Sequence, residues 1–136
     1  MQKKRKINKK YYLNNKEKII KKTVDYNLKR YREDPIFNII CKLRRRIKKT
    51  LKAKNIDKNY TWNSAYGCSP NKLKKHIESK FTESMTWEKV LSGDIHIDHI
   101  TPISLATTEQ EVYLLNHYSN LQPLWAEDNI KKSNSI

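Results

Sequence analysis

No stretch of the 136-residue chain approaches the roughly 18 consecutive apolar positions of a membrane span. The basic start, Met1-Gln2-Lys3-Lys4-Arg5-Lys6, is followed by none of the hydrophobic sequence that makes a signal peptide. The expectation is a protein with no membrane partner that works in the cytoplasm, where it is made. Cysteine is nearly as scarce. Cys41 and Cys68 lie far apart and neither belongs to a CxxC pair, which argues against both a disulfide framework and a structural zinc ribbon and leaves two free thiols as the expectation. Acid is missing from the front of the chain: residues 1–68 carry 22 Lys and Arg against 5 Asp and Glu, a net of +17, whereas residues 69–136 carry 7 against 9, a net of −2.

This asymmetry suggests a polyanion-binding arm joined to a near-neutral working part, with nucleic acid as the default polyanion. Of the 29 basic residues, 23 are Lys, and a coding bias could supply many of them. Such a bias would not leave the back half neutral. The length fits one domain with a modest core and an N-terminal appendage.

Residues 1–15 are too polar to bury themselves and are expected to be a disordered basic tail. From about Lys16 to Glu33, Ile20, Val24, Leu28 and Tyr31 recur at helical spacing, a thin seam on a charged cylinder. Asp34-Pro35 reads as an N-cap followed by proline at the first helical position. In the helix so begun, Ile36, Ile40, Leu43, Ile47 and Leu51 form the packing face and Lys42, Arg45, Lys48, Lys49 and Lys52 project elsewhere. A row of cations is often only a solvated face. The density of Arg44-Arg45-Arg46, with almost no acid to pair it, favours contact with phosphate. Residues 16–54 are thus read as a basic helical DNA-binding region and 55–136 as a separate domain.

Asn55 to Gly67 is a connector whose Tyr60, Trp62 and Tyr66 are expected to pack. Ser69-Pro70 repeats the cap-plus-proline signal, and Leu73, Ile77 and Phe81 give a short helix carrying His76. Met85-Thr86-Trp87 anchors a turn, and Gly93 punctuates before Asp94-Ile95-His96-Ile97-Asp98, which alternates as a strand does, placing His96 and Asp98 opposite the core side. Thr108 and Glu111 stand at capping-box spacing and open a helix to about Tyr118. Leu121 to Leu124 make a second strand, and Trp125 to Lys132 a last helix.

Asp98 offers carboxylate oxygens and Asn129 an amide oxygen, a pair that suits Mg²⁺ or Mn²⁺ better than Zn²⁺. His99, with an unperturbed pKa near 6.5, can be the neutral base that takes a proton from attacking water. Asn120 can bridge backbone groups and aim His99. Lys132, three residues after Asn129, can meet a phosphate near the metal. His96, on the strand face of Asp98, could support the metal from behind, touch DNA, or simply be exposed. Each piece alone is weak, since an Asp-His pair is more often a structural hydrogen bond.

In order, however, Asp98-His99-Ile-Thr-Pro102, Asn120-Leu-Gln-Pro-Leu124 and Asn129-Ile-Lys-Lys132 resemble the three motifs of the HNH endonucleases, the ββα-metal or His-Me finger nucleases. The text around them, Tyr66-Gly-Cys-Ser-Pro-Asn-Lys-Leu-Lys-Lys-His76, Met85-Thr-Trp87, His96 to Ile100 and Leu121 to Trp125, is similar to small phage-encoded and homing-type members. The likeness is specific over residues 66–134 and only general over 16–54. It implies an α+β fold, mostly helical, with a C-terminal ββα-metal module. It also implies Mg²⁺- or Mn²⁺-dependent cleavage of double-stranded DNA, with Asp98 and Asn129 as metal ligands, His99 as base and Asn120 holding the loop. Two departures stand out: many relatives have His where Asn129 stands, and the interval from His99 to Asn120 is long. The alternatives are a basic nucleic-acid-binding protein that keeps the fold without turnover, and an accessory of a phage packaging machine.

Overall fold

A computed structural model describes residues 9–57 and 59–133. In chain order the elements are α1 (Lys9–Glu33), α2 (Pro35–Ala53), α3 (Trp62–Tyr66), α4 (Pro70–Glu78), α5 (Trp87–Ser92), β1 (Ile95–His99), α6 (Glu109–Asn116), β2 (Leu121–Trp125) and α7 (Ala126–Lys132), with 3₁₀ turns at Ile103–Leu105 and Tyr118–Asn120. The class is α+β, mostly helical, with a two-stranded antiparallel sheet.

The break between the first two helices is written in Asp34-Pro35. The Asp34 amide closes α1 on the carbonyl of Arg30 at 2.8 Å, while its carboxylate accepts from the amides of Ile36 and Phe37, both at 3.0 Å, and so caps α2. Proline at the next position has no amide to lose. The Arg30 guanidinium steadies the cap from α1 at 3.1 Å, and the Asn38 amide ties the corner to the Tyr31 carbonyl at 2.9 Å.

Helix α2 lies at the centre of the core. Ile39, Ile40, Leu43, Ile47 and Leu51 are buried along it and meet Ala65 and Tyr66 of α3, Leu73 and Ile77 of α4, Val90 of α5, Ile95 and Ile97 of β1, Val112 of α6 and Leu121 of β2. Each of these aliphatic burials contributes about 2 kcal/mol. Trp62 and Tyr66 stack at 4.0 Å, and the Trp62 indole donates to the Cys68 carbonyl at 2.7 Å. The connector aromatics therefore pack.

The strands pair antiparallel with Ile95 opposite Trp125, His96 opposite Leu124, Asp98 opposite Gln122 and His99 opposite Leu121. Helix α7 follows β2 without a loop, its first amide donating to the Asp94 carbonyl at 2.9 Å. Two antiparallel strands and one helix laid against them thus form the C-terminal unit. The long interval between the strands folds back as α6, whose start carries the capping box of Thr108 and Glu111 and whose Val112 and Asn116 enter the core.

Several expectations change. Residues 9–15, read as disordered tail, belong to α1; residues 1–8 of that tail lie outside the described residues. Helix α1 buries no side chain, and Ile20, Val24 and Leu28 are exposed; among the described residues its main packing partner is α2. Helices α3 and α5 replace what read as connector and turn. Their Thr61 and Thr86 N-caps, accepting from Ser64 and Lys89, and their left-handed C-caps Gly67 and Gly93 close two very short helices that have no full hydrophobic period to betray them. Helix α6 ends at Asn116, before Tyr118. Among the described residues no helix is long and apolar enough to cross a membrane.

Candidate active site

The site grows from the end of β1. Alternation puts Ile95, Ile97 and His99 on the core side of the strand and His96 and Asp98 on the side that α7 covers. The strand expected from the sequence ended at Asp98, yet His99 is the last residue of β1 and only 3 % exposed. Asp98 and His99 nonetheless both line one cavity of about 160 Å³, together with Arg46, Pro102, Ile103, Ser104 and Ser133.

Two elements that the sequence did not connect to His99 hold its ring. An Arg46 nitrogen from α2 lies 3.0 Å from Nδ1, and Oδ1 of Asn116 from α6 lies 3.2 Å from Nε2. A guanidinium can only donate, so Nδ1 carries the lone pair and Nε2–H donates to Asn116. Asn116 is itself fixed, its amide donating to the Val112 carbonyl at 2.7 Å. Burial first, and then the Arg46 charge, press the His99 pKa down to about 4. The ring is neutral throughout the physiological range.

Helix α7 reaches the other face of β1 with two side chains one turn apart. Asn129 donates to Nδ1 of His96 at 3.0 Å, leaving its carboxamide oxygen without a hydrogen-bond partner among the described residues. The Lys132 ammonium meets the Asp98 carboxylate at 2.7 Å and the carbonyls of His99 and Ile100 at 2.7 and 3.0 Å. Gln122, across the ladder, donates to the same Asp98 oxygen at 3.1 Å. Lys132, expected to face phosphate, is thus the ion-pair partner of Asp98.

Asn120 bridges backbone groups of Thr101 and Leu115 at the turn after β1. Its oxygen accepts from the Thr101 amide at 2.9 Å, and its nitrogen donates to the carbonyls of Thr101 and Leu115 at 2.9 and 2.7 Å. The Ile100 amide donates to the Asn120 carbonyl at 2.8 Å. The turn that leaves His99 is pinned on both sides.

The cations of α2 divide. Arg45, Lys48, Lys49 and Lys52, at three- and four-residue steps, are exposed along one outer stripe; Arg44 is exposed too, with its guanidinium over Trp62 at 5.5 Å. Lys42 stands at the border, its pKa lowered by burial and by the charges of Arg45 and Arg46. Arg46, read as part of the phosphate-gripping row, is half-buried and turned inward, donating to the Ile97 carbonyl at 3.1 Å as well as to His99. The position lies between the core stripe and the outer stripe, so its long side chain reaches the open edge of β1.

Sequence reasoning therefore missed Arg46 as a partner of His99, and Asn116 and Gln122 altogether. Gln122 was open to discovery, since antiparallel pairing puts it opposite Asp98. Asn116 carried no signal beyond a polar residue on an otherwise apolar helical stripe. Among the described residues there is no cluster of three or more His, Cys, Asp or Glu able to hold a metal. Asp98, which lines the groove, and Asn129, whose side chain rests on His96, are the two oxygen donors that the sequence offered a hard cation.

No family model matches the chain, and no solved structure does. Two viral proteins are similar to it. The uncharacterized protein L246 of Acanthamoeba polyphaga mimivirus is 32% identical over 136 residues, covering 90% of this chain and 58% of that protein. The uncharacterized protein L426 of the same virus is 32% identical over 110 residues, covering 79% of this chain and 47% of that protein. The chain spans about half the length of the curated relatives it matches.

Proposed function

We propose that this protein is a metal-dependent DNA endonuclease of the HNH kind and that β1, β2 and α7 form its ββα module. The observation that carries the reading is the assembly at the end of β1. A carboxylate, a neutral imidazole and an asparagine-pinned turn border one groove, and the following helix brings a carboxamide and an ammonium to the strand behind it. Asp98 and Asn129 would hold Mg²⁺ or Mn²⁺, which when bound polarises the phosphodiester and steadies the leaving oxygen.

The rest falls to the chain's own groups. Nδ1 of His99 takes the proton of a water that attacks phosphorus; the new P–O bond forms as the bond to the departing sugar oxygen breaks. Nε2–H, donating to Asn116, keeps the ring in the tautomer whose Nδ1 can accept and supports the imidazolium that results. Asn120 keeps the turn after His99 in place. The outer stripe of α2, with Arg44 and Lys42 beside it, binds the phosphate backbone of the duplex.

The second reading, a nucleic-acid-binding protein without turnover, has one observation in its favour: Asp98 and His99 each already hold a cationic side chain, Lys132 and Arg46. Incubating supercoiled plasmid with the protein and Mg²⁺ separates the two. The nuclease reading expects nicked or linear product, loss of that product in His99→Ala, and retained gel-shift binding by the variant. Binding without product from the wild type in either Mg²⁺ or Mn²⁺ would leave only the second reading.

A further inference from the structure

If His99 is the base, as proposed above, the free protein has a problem: the lone pair that must receive the proton is already taken by Arg46. We propose that Arg46 is a substrate-released latch. It rests on Nδ1 of His99 in the free protein and moves to the scissile phosphate, whose developing charge it then supports, when nucleic acid enters the groove, so that the base is unmasked only in the complex.

Four observations carry this. The Arg46 contacts to His99 and Ile97 use one terminal nitrogen, at 3.0 and 3.1 Å, and its remaining N–H groups have no partner among the described residues. The guanidinium lines the same groove as Asp98 and His99, where the scissile phosphodiester must lie. It also lines a second, mostly apolar cavity of about 190 Å³ between α2, α5 and β1, with Lys42 one turn away, so a second cation stands next to it on the same helix. Asp98, in the same groove, attracts its charge, but no carboxylate among the described residues lies within ion-pair distance of it; the salt bridges there are Arg30 with Asp34 and Lys132 with Asp98. A hydrogen bond to a neutral imidazole is a weaker hold on a guanidinium than two charge-assisted bonds to a phosphate. An arriving phosphodiester therefore outcompetes His99 for Arg46, and the ring keeps its orientation through Asn116.

Two measurements test the proposal. The first is NMR of the nitrogen-15-labelled imidazole of His99 in EDTA, with and without a short duplex, which reads the hydrogen bond without turnover. The Nδ1 resonance is expected to move from its hydrogen-bonded position toward that of a free lone pair as the duplex saturates. An Nδ1 resonance unchanged in the saturated complex overturns the latch, whether or not the protein cleaves DNA.

The second is single-turnover cleavage with Mg²⁺ beside duplex affinity in EDTA, for Arg46→Ala and Arg46→Lys. Arg46→Ala is expected to lower the saturating rate about 100-fold, the cost of losing one donor to developing charge. Its duplex affinity should stay within about threefold of wild type, since one phosphate contact among many is lost. Arg46→Lys, which keeps a cation, should recover part of that rate. An Arg46→Ala variant that binds less well but cleaves at the wild-type saturating rate would show an ordinary phosphate gripper and sink the latch. Absence of cleavage by wild type together with the expected Nδ1 shift would remove the nuclease reading and keep the latch.

Discussion

His99 is the residue at which stability and chemistry meet. Its folded pKa of about 4 lies below the roughly 6.5 of an unfolded histidine, so between those values the unfolded chain binds the extra proton and the folded one does not. The stability contributed by keeping the ring neutral is therefore complete above pH 6.5 and is lost as pH falls towards 4. The two values correspond to roughly 3 kcal/mol. Urea unfolding in metal-free buffer at pH 7.5 and pH 4 is expected to show that loss in the wild type and a correspondingly smaller one in His99→Asn, which does not titrate. Equal pH sensitivity in both would mean that the buried ring is not its source.

Asn120 makes a second prediction at this scale. It satisfies an amide and two carbonyls of neighbouring segments, all at 2.9 Å or less. Asn120→Ala is expected to cost about 2 to 3 kcal/mol in chemical denaturation, since the stranded backbone groups bear the penalty as well as the lost bonds. Single residues were also where the sequence was most and least legible. Asn120 could be read as a backbone bridge because a carboxamide has both kinds of hydrogen-bonding group and the motif fixed its place. The pairing of Arg46 with His99 could not be, because 53 positions separate them and helical spacing alone puts Arg46 at the edge of both stripes.

Among the elements, α2 works on two sides, and the two can be perturbed separately. Ile47 is fully buried beneath the sheet and helices, so Ile47→Ala is expected to destabilise by about 2 to 5 kcal/mol, lowering the unfolding midpoint. Replacing Lys48 and Lys49 by Gln should leave that midpoint nearly unchanged and weaken duplex binding, as measured by fluorescence anisotropy. Both faces of this helix could be read from the sequence because 3.6-residue periodicity and the Asp34-Pro35 cap agree. Helix α1 shows the limit of the same reasoning: its Ile20, Val24 and Leu28 have the right spacing, but periodicity does not say whether a partner surface exists. The short helices α3 and α5 escaped notice because one or two turns hold too few apolar positions to form a pattern.

For the molecule as a whole, the uneven charge becomes a geometric statement: α2 carries cations on its exposed stripe and lends Arg46 to the groove at the end of β1. Binding to duplex DNA should therefore weaken with salt, with a slope of about 0.9 in log affinity per log salt for every phosphate neutralised. A profile flat in salt would speak against the helical grip. Deleting residues 1–29 should keep a single cooperative unfolding transition, because no side chain of α1 is buried and Arg30 is kept to support the Asp34 cap, while duplex affinity falls.

The placement of α2 within the core carries the opposite lesson for the next stretch of chain. A boundary after residue 54 looks natural from charge alone, yet the fragment 55–136 would leave behind Ile39, Ile40, Leu43, Ile47 and Leu51 along with Arg46. The cationic stripe of α2 and the site at the end of β1 therefore cannot be traded as cassettes. An engineer who grafts residues 55–136 onto a different targeting domain should expect an insoluble product, whereas a fusion joined ahead of Arg30 keeps the apolar helix under its strands.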